Sequence, residues 1–551
     1  MYHRISRTLA FSLVSAALSF TPNILHVRQH FSLPASTSIH HNTGTYLHVS
    51  RNERSVSLRV KEPVGEEVAV VPEKSVLQQY AEYSEELEAL SFLSSISGDQ
   101  DLCQRAQGVF DAMYEIWSDD DDEDLEPSTE IYNLLISVYS NCGDMKTAEG
   151  ILKRMEGGED MPSADADTYA AVMSGFGKRG NLGKAEEIFS RLQSKHAPSI
   201  ETFNSMLALW KKSGDWNSPQ KAEELLSKML DAESSAPSPD TESFAIVMEC
   251  FARNSARSNS HLIAGKVKEL IALMEDQVKN GNDCVNPKHR NIVNTQIKVL
   301  SQSRTKGVGL EAEVLLFDMM DRYKISKDED ERPNAASFIN TITAWKNERS
   351  AESAQRAAQL LAMLEDFHRI ELEAGNDCEN LKPDARAHNS CMSIWSKSKA
   401  KGKAIETRNL LDKLQSLYEI TSDDDYAPNQ RSFNNVMNAC AFTKGSEEEC
   451  KATLTLMMDT FKSMRESTVE PNHVTYGMFL KGCGNLMPIN DEKRLTVIEN
   501  VFRKCCREGC VSKFVLDSLI AATSSSFAEK VFGSDVDDCF QIPGEWSRNV
   551  E

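Results

Sequence analysis

Apolar residues recur along most of the chain at the spacing of helices that bury one face. A small residue is followed by apolar residues four and seven positions later, as at Ala148, Leu152 and Met155. This spacing places all three on one helix face, and the small residue marks where two helices approach most closely. The small residues in the series are Ala106, Ala148, Ala185, Ala222, Ala312 and Ala357. The pattern predicts a long series of amphipathic helices.

A second signal alternates with the first. A bulky, usually aromatic residue follows a Pro-x dipeptide by five positions, as Tyr132 follows Pro127, and a Gly turn such as Asn141–Asp144 separates this anchor from the next small residue. Each unit therefore reads as helix, Gly turn, helix and Pro-led connection. The anchors are Tyr132, Tyr169, Phe203, Phe244, Ile292, Phe338, His388, Phe433 and Tyr476.

A helix pair of this size cannot bury its apolar face alone, whereas stacked pairs can. The recurrence therefore predicts an all-α protein, an α-solenoid with a concave surface. Insertions lengthen the later units.

The segment from Thr129 to Met155, which opens Thr129-Glu-Ile-Tyr-Asn-Leu-Leu and ends Ala148-Glu-Gly-Ile-Leu-Lys-Arg-Met, resembles the pentatricopeptide repeat family. Residues 168–192 and the opening of the next unit are similar to the same consensus. The Trp-Leu-Gly-Tyr opening of tetratricopeptide repeats is absent. The resemblance implies a right-handed α-solenoid of about nine P-type repeats at 127–515, without a catalytic tail.

The ends differ from the repeats. Residues 1–52 carry four arginines, no carboxylate and an apolar run from Leu9 to Phe20, the build of a targeting leader. A plastid is favoured as the destination, with the mitochondrion as the alternative and an unprocessed N-terminus as a third reading. We expect a disordered linker at 53–84, a degenerate opening repeat with an acidic, solvated loop at 85–126, and a tail at 516–551.

Members of the family bind single-stranded RNA with one base per repeat. The resemblance implies that the residue after each anchor reads the base, together with the last residue before the next repeat. Asn with Asp is the family's uracil-preferring pair, and Asn with Asn is its pyrimidine pair. The pairs of these kinds are Asn133 with Asp165, Asn204 with Asp240, Asn389 with Asn429, and Asn434 with Asn472. The same rule, applied to the anchor Ile292, pairs Val293 with Asn334.

A basic residue eight positions after the readout residue can reach a phosphate in the family. That position holds Lys178, Lys212, Arg253 and Lys397. A lysine at a helix end also suits the helix dipole, so this reading competes with a structural one. The chain has 61 Lys+Arg against 83 Asp+Glu and a formal charge of −22, so as a whole it repels RNA. RNA can therefore bind only along a local path of basic residues.

Two features of the sequence weigh against RNA binding. The family keeps an apolar residue two positions before the anchor, to sandwich the base, and here an aliphatic residue occurs there once. The insertions at Asp328–Arg332 and Asp423–Asp425 would also disturb the regular rise of one base per repeat. The residues at the sandwich position are Glu130, Asp167, Glu201, Glu242, Arg290, Ala336, Arg386, Arg431 and Val474.

Motifs of catalysis, cofactor binding and metal binding are not evident. Most of the 13 cysteines are scattered singly, and Cys505, Cys506 and Cys510 lack metal-ligand spacing, so we expect buried helix thiols. No run of twenty apolar residues predicts a membrane helix. The sequence thus predicts a non-enzymatic adaptor that binds organelle RNA and acts in RNA processing, stability or translation. The alternative is an acidic scaffold for proteins, for example in an organelle ribosome or RNA-processing assembly.

Overall fold

The computed structural model describes residues 38–40, 46–52, 55–60, 76–120, 125–158, 161–231, 236–254, 260–303, 305–489, 491–523 and 542–550. The chain forms two compact units. The first unit comprises residues 1–213 and 232–237, and the second comprises 214–231 and 238–551. Most of the expected leader, residues 121–124 of the acidic loop and residues 524–541 of the expected tail lie outside the described residues.

The first unit contains a short antiparallel sheet followed by helices. Strand β2 pairs with β1 on one side and with β3 on the other, in register from Leu47 opposite Val60 to Asn52 opposite Ser55. Its elements are β1 (Ser38–His40), β2 (Tyr46–Asn52), β3 (Ser55–Val60), α1 (Val76–Ser97), α2 (Asp101–Asp120), α3 (Thr129–Cys142), α4 (Met145–Gly157), α5 (Ala166–Lys178), α6 (Leu182–Lys195) and α7 (Ile200–Ser213).

The second unit is helical throughout the residues described. Short 3₁₀ turns follow α13, α14 and α16. Its helices are α8 (Ser218–Leu230), α9 (Thr241–Asn254), α10 (Ser260–Lys279), α11 (Arg290–Gln302), α12 (Val308–Ser326), α13 (Ala335–Ala344), α14 (Ala351–Glu373), α15 (Ala385–Lys397), α16 (Lys403–Thr421), α17 (Gln430–Ala441), α18 (Glu447–Glu466), α19 (His473–Leu486), α20 (Glu492–Arg507), α21 (Lys513–Ala522) and α22 (Gly544–Ser547).

Consecutive helices form hairpins, which stack on their neighbours within each unit. The all-α repeat architecture predicted from the sequence is therefore confirmed. Three boundaries differ from those expected. Strands occupy part of 38–60, the opening hairpin begins at Val76 rather than near residue 85, and α21 continues the array past residue 515 by packing on α19.

Helix packing follows the sequence pattern. Ala148, Ala185, Ala312 and Ala357 are fully buried, as a close approach of two helices requires. The anchors also lie in the core, and the Phe203 ring packs edge-on against Phe189 with the ring centroids 5.2 Å apart. Each hairpin thus buries its apolar face against the next, the arrangement that stabilises solenoids.

The residue after the proline of the Pro-x dipeptide caps the first helix of several hairpins. Asn334, Asn429 and Asn472 each accept hydrogen bonds from backbone N–H groups at the start of the following helix. The backbone N–H of each cap donates in return to the hydroxyl of a Ser or Thr three residues later, which completes a capping box. In these hairpins the Pro-x dipeptide therefore fixes where the first helix begins.

The insertions lie in one layer of the array. The second helices of the hairpins are 13 and 14 residues long at α4 and α6, but 19 to 23 residues long from α10 to α18. The first helices stay between 10 and 14 residues from α3 to α19. Successive connections also bind each other, because Arg332 donates to the Asp377 carbonyl at 2.9 Å and Lys382 pairs with Asp425 at 2.8 Å. The insertions thus extend the second helices and the connections after them.

The C-terminal residues described close the array. The backbone N–H of Val511 donates to the Trp546 carbonyl at 2.8 Å, and the Trp546 ring packs edge-on against Phe502. Residues 542–550 therefore cover the end of the last hairpin.

Candidate nucleic-acid interface

The predicted readout residues lie on the first helices, and their partners cap the first helix of the following hairpin. In the first unit the Asn133 amide donates from Nδ2 to Asp165 Oδ1 at 3.1 Å. Asp165 is the cap of α5 and also accepts from the Thr168 backbone N–H at 2.8 Å. The two residues that the resemblance pairs are thus joined across neighbouring repeats.

The charge of Asp165 fixes the direction of this contact. Burial raises the pKa of the Asp165 carboxyl, but hydrogen bonds from Thr168 and Asn133 outweigh burial and hold the pKa below its ordinary value. A carboxylate can only accept hydrogen bonds, so Asn133 must turn its NH₂ group toward it. The carbonyl oxygen of Asn133 then remains as the group that faces away from Asp165.

Two pairs of the second unit repeat this geometry with neutral partners. Nδ2 of Asn389 donates to Asn429 Oδ1, and Nδ2 of Asn434 donates to Asn472 Oδ1, both at 3.3 Å. The oxygen of each partner is already oriented, because it also accepts from backbone N–H groups of the helix it caps. Helix capping therefore favours the same orientation of the readout amide in these pairs, without a charge to enforce it.

The side-chain oxygens of two of these asparagines lack a hydrogen-bond partner among the residues described. Oδ1 of Asn133 and Oδ1 of Asn389 are buried and have no hydrogen-bond partner among the residues that the structure describes. A buried acceptor without a partner costs about 1–3 kcal/mol. Oδ1 of Asn434 differs, because it accepts from Thr475 Oγ1 at 2.7 Å.

The fourth predicted pair is divided between the units. Asn204 is buried on α7 of the first unit. Asp240 lies before α9 of the second unit and accepts from the Ser243 backbone N–H at 2.8 Å. The pairing of Asn204 with Asp240 stays a prediction.

Counting positions from Pro287 selected Val293 as a readout residue, where the structure indicates its neighbour Asn294. The pairing of Val293 with Asn334 is wrong: Asn294 Nδ2 donates to Asn334 Oδ1 at 3.1 Å, and Val293 is buried in the core. The cap of α11 is His289, one residue later than the Pro287–Lys288 dipeptide indicates. The readout residue lies five positions after the cap in the other pairs, and the same count from His289 gives Asn294. Its Oδ1 is also buried without a partner among the residues described.

Lys178 and Lys212 are the residues of the first unit that the resemblance predicts to contact phosphates. Lys178 ends α5, and its ammonium donates to Asn141 Oδ1 at 2.7 Å. Partial burial, and then the charge of Lys212, lower the pKa of Lys178. Two like charges therefore lie close enough to repel, which favours binding of an anion.

The second unit holds a larger group of cations. Partial burial, followed by the charges of Arg431 and Arg349, lowers the pKa of Lys397. Burial and the charge of Lys397 lower the pKa of Lys346, a residue that the sequence did not single out. Lys346 donates to the Ser301 carbonyl and Lys397 to Ser393 Oγ, both uncharged oxygens. Lys346, Arg349, Lys397 and Arg431, which we name the basic cluster, thus form a positive patch in an acidic chain. Arg253 lies exposed at the end of α9.

The residues at the predicted sandwich position differ between the units. Glu130 and Asp167 are exposed in the first unit. In the second unit, Arg386 pairs with Asp384 through Nε at 2.6 Å, and Arg290 donates to the Glu329 carbonyl at 3.0 Å. Arg431 is exposed beside Lys397. A guanidinium plane can stack on a base, which a carboxylate cannot do.

Cys483, Cys505 and Cys510 are buried thiols, and Cys506 is half-buried. Cys483 and Cys505 are buried in α19 and α20, and burial raises the pKa of Cys483 to about 12. Within the residues described, no group of three or more His, Cys, Asp or Glu could hold a metal ion. The same part of the chain contains no helix that is both long and apolar enough to cross a bilayer.

Comparison with known proteins agrees with this architecture. The profile of the PPR repeat matches residues 130–158 and 167–196, and the pentatricopeptide repeat domain matches residues 450–486. The chain therefore contains pentatricopeptide repeats at these residues, within a fold of stacked helical hairpins.

Two relatives come from Arabidopsis thaliana. One pentatricopeptide repeat-containing protein is 24% identical over 160 residues, which cover 28% of this chain and 25% of that protein. Another, named as chloroplastic, is 20% identical over 415 residues, which cover 75% of this chain and 40% of that protein. The chain thus spans less than half the length of either relative.

A solved structure has a similar fold. The pentatricopeptide repeat protein PPR10, in complex with an 18-nt psaJ RNA element, aligns over 83% of this chain and 60% of its own, with 16% identity and a TM-score of 0.50.

Proposed function

We propose that the chain binds single-stranded RNA, with one base at each readout pair. The observation that carries this proposal is the fixed orientation of the readout asparagines. Their NH₂ groups donate to helix caps, and the oxygens of Asn133, Asn294 and Asn389 are buried acceptors with no partner among the residues described. The Watson–Crick edge of a base would supply the missing donor.

The orientation also favours particular bases. Uracil has a donor at N3, whereas cytosine has an acceptor there and a donor only at N4. A fixed carbonyl oxygen therefore suits the N3–H of uracil, most strictly where the charge of Asp165 prevents Asn133 from reversing. At pairs with a neutral cap, such as Asn389 with Asn429, the amides can exchange roles, which supports recognition of either pyrimidine.

Phosphates would be bound by the lysines and arginines already described. Lys178 and Lys212 serve the first unit, and the basic cluster serves the second, with Arg253 as a further candidate. Mutual repulsion among these cations is relieved when a phosphate binds, and counterions are released from the RNA.

In the cell we propose an adaptor without catalysis of its own, acting in organelle RNA processing, stability or translation. The chloroplastic relative and the RNA-bound PPR10 structure support this setting. We propose a plastid rather than a mitochondrion, as the leader of the sequence favours.

A binding assay tests the proposal. Fluorescence anisotropy at physiological salt would compare equally long uridine-rich, cytidine-rich and adenosine-rich oligoribonucleotides. We expect the uridine-rich strand to bind most tightly and the adenosine-rich strand most weakly. Equal affinity for all three, or no binding at this salt concentration, would contradict base readout.

A further inference from the structure

Four exposed aliphatic residues occupy the same place in four consecutive hairpins of the second unit. Val278, Ile325, Leu372 and Ile420 lie near the C-terminal ends of α10, α12, α14 and α16, and their side chains are 42%, 87%, 59% and 81% exposed. Each lies two residues before the residue whose N–H closes the last helical turn, namely Asn280, Lys327, Ala374 and Ser422. We name these four residues the aliphatic row.

The helices that carry the row are direct neighbours. Tyr323 of α12 donates to Glu371 of α14 at 3.0 Å, and Lys413 of α16 pairs with Glu365 of α14 at 2.6 Å. Side chains of α10 and α12 line one surface cavity of about 280 Å³, including Val267 and Val314. Helices joined by such side-chain contacts lie on the order of 10 Å apart, so we expect successive members of the row at about that spacing.

Packing within the chain does not account for the row, because the four side chains are largely exposed. The equivalent residues of the first unit are Glu156 on α4 and Ser194 on α6, both polar. Single exposed aliphatic residues are common, but four in register indicate a surface that another molecule covers.

The surroundings of the row carry more acidic than basic residues. Asp328–Glu331 and Tyr418–Asn429 contain four carboxylates each, whereas the nearby cations include Lys324 and Lys327 beside Ile325, and Lys382, which pairs with Asp423 and Asp425. Four helix C-termini also end along the row, and the partial negative charge of a helix C-terminus attracts cations. An occupant with apolar and basic residues would therefore match both the shape and the charge of this surface.

We propose that the aliphatic row binds a basic amphipathic helix of a partner protein. Seven residues of an α-helix span about 10.5 Å, close to the separation of successive second helices, so an apolar residue at every seventh position meets each member of the row. Lysine or arginine on either side of that stripe faces the acidic connections. The row lies on second helices, whereas the readout asparagines lie on first helices, so this proposal goes beyond RNA binding.

A designed peptide provides the probe. It is a helical Ala/Lys peptide with leucine at every seventh position, labelled for fluorescence anisotropy with the full chain. A second peptide has the same composition with leucines scattered around the helix, and a third carries glutamate in place of lysine. We expect only the first to bind, and its affinity to fall as salt is raised.

The test variant is Ile325→Gln with Leu372→Gln and Ile420→Gln. These side chains are exposed, so circular dichroism and thermal unfolding should be unchanged. Each aliphatic contact contributes up to about tenfold in affinity, and we expect the triple variant to bind the first peptide roughly tenfold or more weakly. The matched control is Met458→Gln with Ile489→Gln and Leu495→Gln, three exposed apolar residues of the same unit outside the row. It should bind as the unaltered chain does.

Several outcomes would overturn the proposal. These are equal binding of the lysine and glutamate peptides, equal loss in the test and control variants, or no binding of the first peptide. Analytical ultracentrifugation adds another: a dimer of the unaltered chain that only the test variant dissociates would make the occupant a second copy. Loss of RNA binding by Asn389→Ala with Asn434→Ala should leave peptide binding intact, so the two proposals can fail separately.

Discussion

The two units share a hairpin design but differ in the surface that the proposed RNA would meet. In the first unit the sandwich position holds Glu130, Asp167 and Glu201, and the second helices α4 and α6 are short. In the second unit that position holds Glu242 but also Arg290, Arg386 and Arg431, and the second helices from α10 to α18 are long. The first unit is closer to the family consensus, yet its carboxylates repel phosphates. Resemblance to a repeat consensus therefore does not identify the repeats whose charge suits RNA.

The insertions in the second unit also had a different effect from the one that the sequence predicted. They were expected to disturb the rise of one base per repeat, but they leave the hydrogen bonds between readout residues and caps intact. The Asn–Asn pairs of the second unit join at 3.1–3.3 Å, and the Asn133–Asp165 pair of the first unit joins at 3.1 Å. The second helices accommodated the added residues, so the first helices, which we propose to face RNA, kept these contacts between repeats. We therefore expect the second unit to contribute more to RNA affinity than the first.

The largest expected effect comes from removing two readout amides of the second unit. Asn389→Ala with Asn434→Ala should weaken binding of a uridine-rich strand by about 1–3 kcal/mol for each base that is no longer recognised. Anisotropy titrations would measure the loss, with Asn280→Ala and Asn380→Ala, two exposed asparagines, as the matched control. Asn133→Ala alone should weaken binding less than either single change in the second unit. A larger loss for Asn133→Ala would reverse the ranking of the units.

Removing cations should weaken binding without changing which base is preferred, because phosphate contacts carry no sequence information. We expect Lys346→Gln with Lys397→Gln to reduce the salt slope of log affinity by about two, roughly one for each phosphate that is no longer neutralised. Titrations with uridine-rich and cytidine-rich strands over a range of salt would measure both quantities. The paired change Lys178→Gln with Lys212→Gln tests the first unit, where the expected loss of affinity is smaller. A selective loss for one sequence would contradict the phosphate role.

A change of one cap residue should relax base choice in the first unit. Asp165→Asn keeps a good helix cap but removes the charge that prevents Asn133 from reversing its amide. The preference of that repeat for uracil over cytosine should fall by about 1 kcal/mol. Competition between strands that differ at a single base would measure it. Asp165→Ala is the informative contrast, since it should also lower the unfolding temperature through loss of the cap.

Affinity should also depend on pH at the alkaline end. The pKa values of Lys346 and Lys397 are lowered in the free chain, and bound phosphate would raise them, so binding is strongest while both are protonated. Affinity should decline as the pH rises through the lowered pKa values toward the ordinary lysine value. Lys346→Arg with Lys397→Arg stays charged throughout and should flatten this decline, while ionisation of the bases affects both proteins equally. Identical pH profiles would exclude these lysines.

The smallest effect concerns the ends of the long second helices. Helix α16 ends at Thr421, and its C-cap Ser422 is a non-glycine residue with φ of 52°, whereas Gly143 and Gly158 fill left-handed positions in the first unit. Because a side chain is strained there, Ser422→Gly should stabilise the chain by about 0.5–1 kcal/mol. Ser416→Gly, in the interior of the same helix, should instead destabilise it by a few tenths to about 1 kcal/mol. Thermal unfolding measures both, and two changes of the same sign would contradict the strain argument.

The sequence was informative where one short-range signal decides the structure. Spacing of the small residues and anchors predicted the helical hairpins, because both depend on packing between consecutive helices. It failed at Asn294, because His289 caps α11 in place of the residue directly after Pro287. The basic cluster was only partly foreseen, because Lys346 approaches Lys397 through stacking of different repeats. Where the inserted residues would lie depended on packing and could not be read from spacing.

The cap residues carry a consequence for how such a chain can diverge. Asp165, Asn429 and Asn472 each begin a helix and also orient a readout amide, so every substitution there is tested by folding and by ligand choice at once. Asp, Asn, Ser and Thr cap helices well, while most other residues cost about 1 kcal/mol or more. Only a few short polar residues can therefore replace these caps without loss of stability. Exchange among these capping residues can therefore change the proposed base preference of a repeat without destabilising its helix.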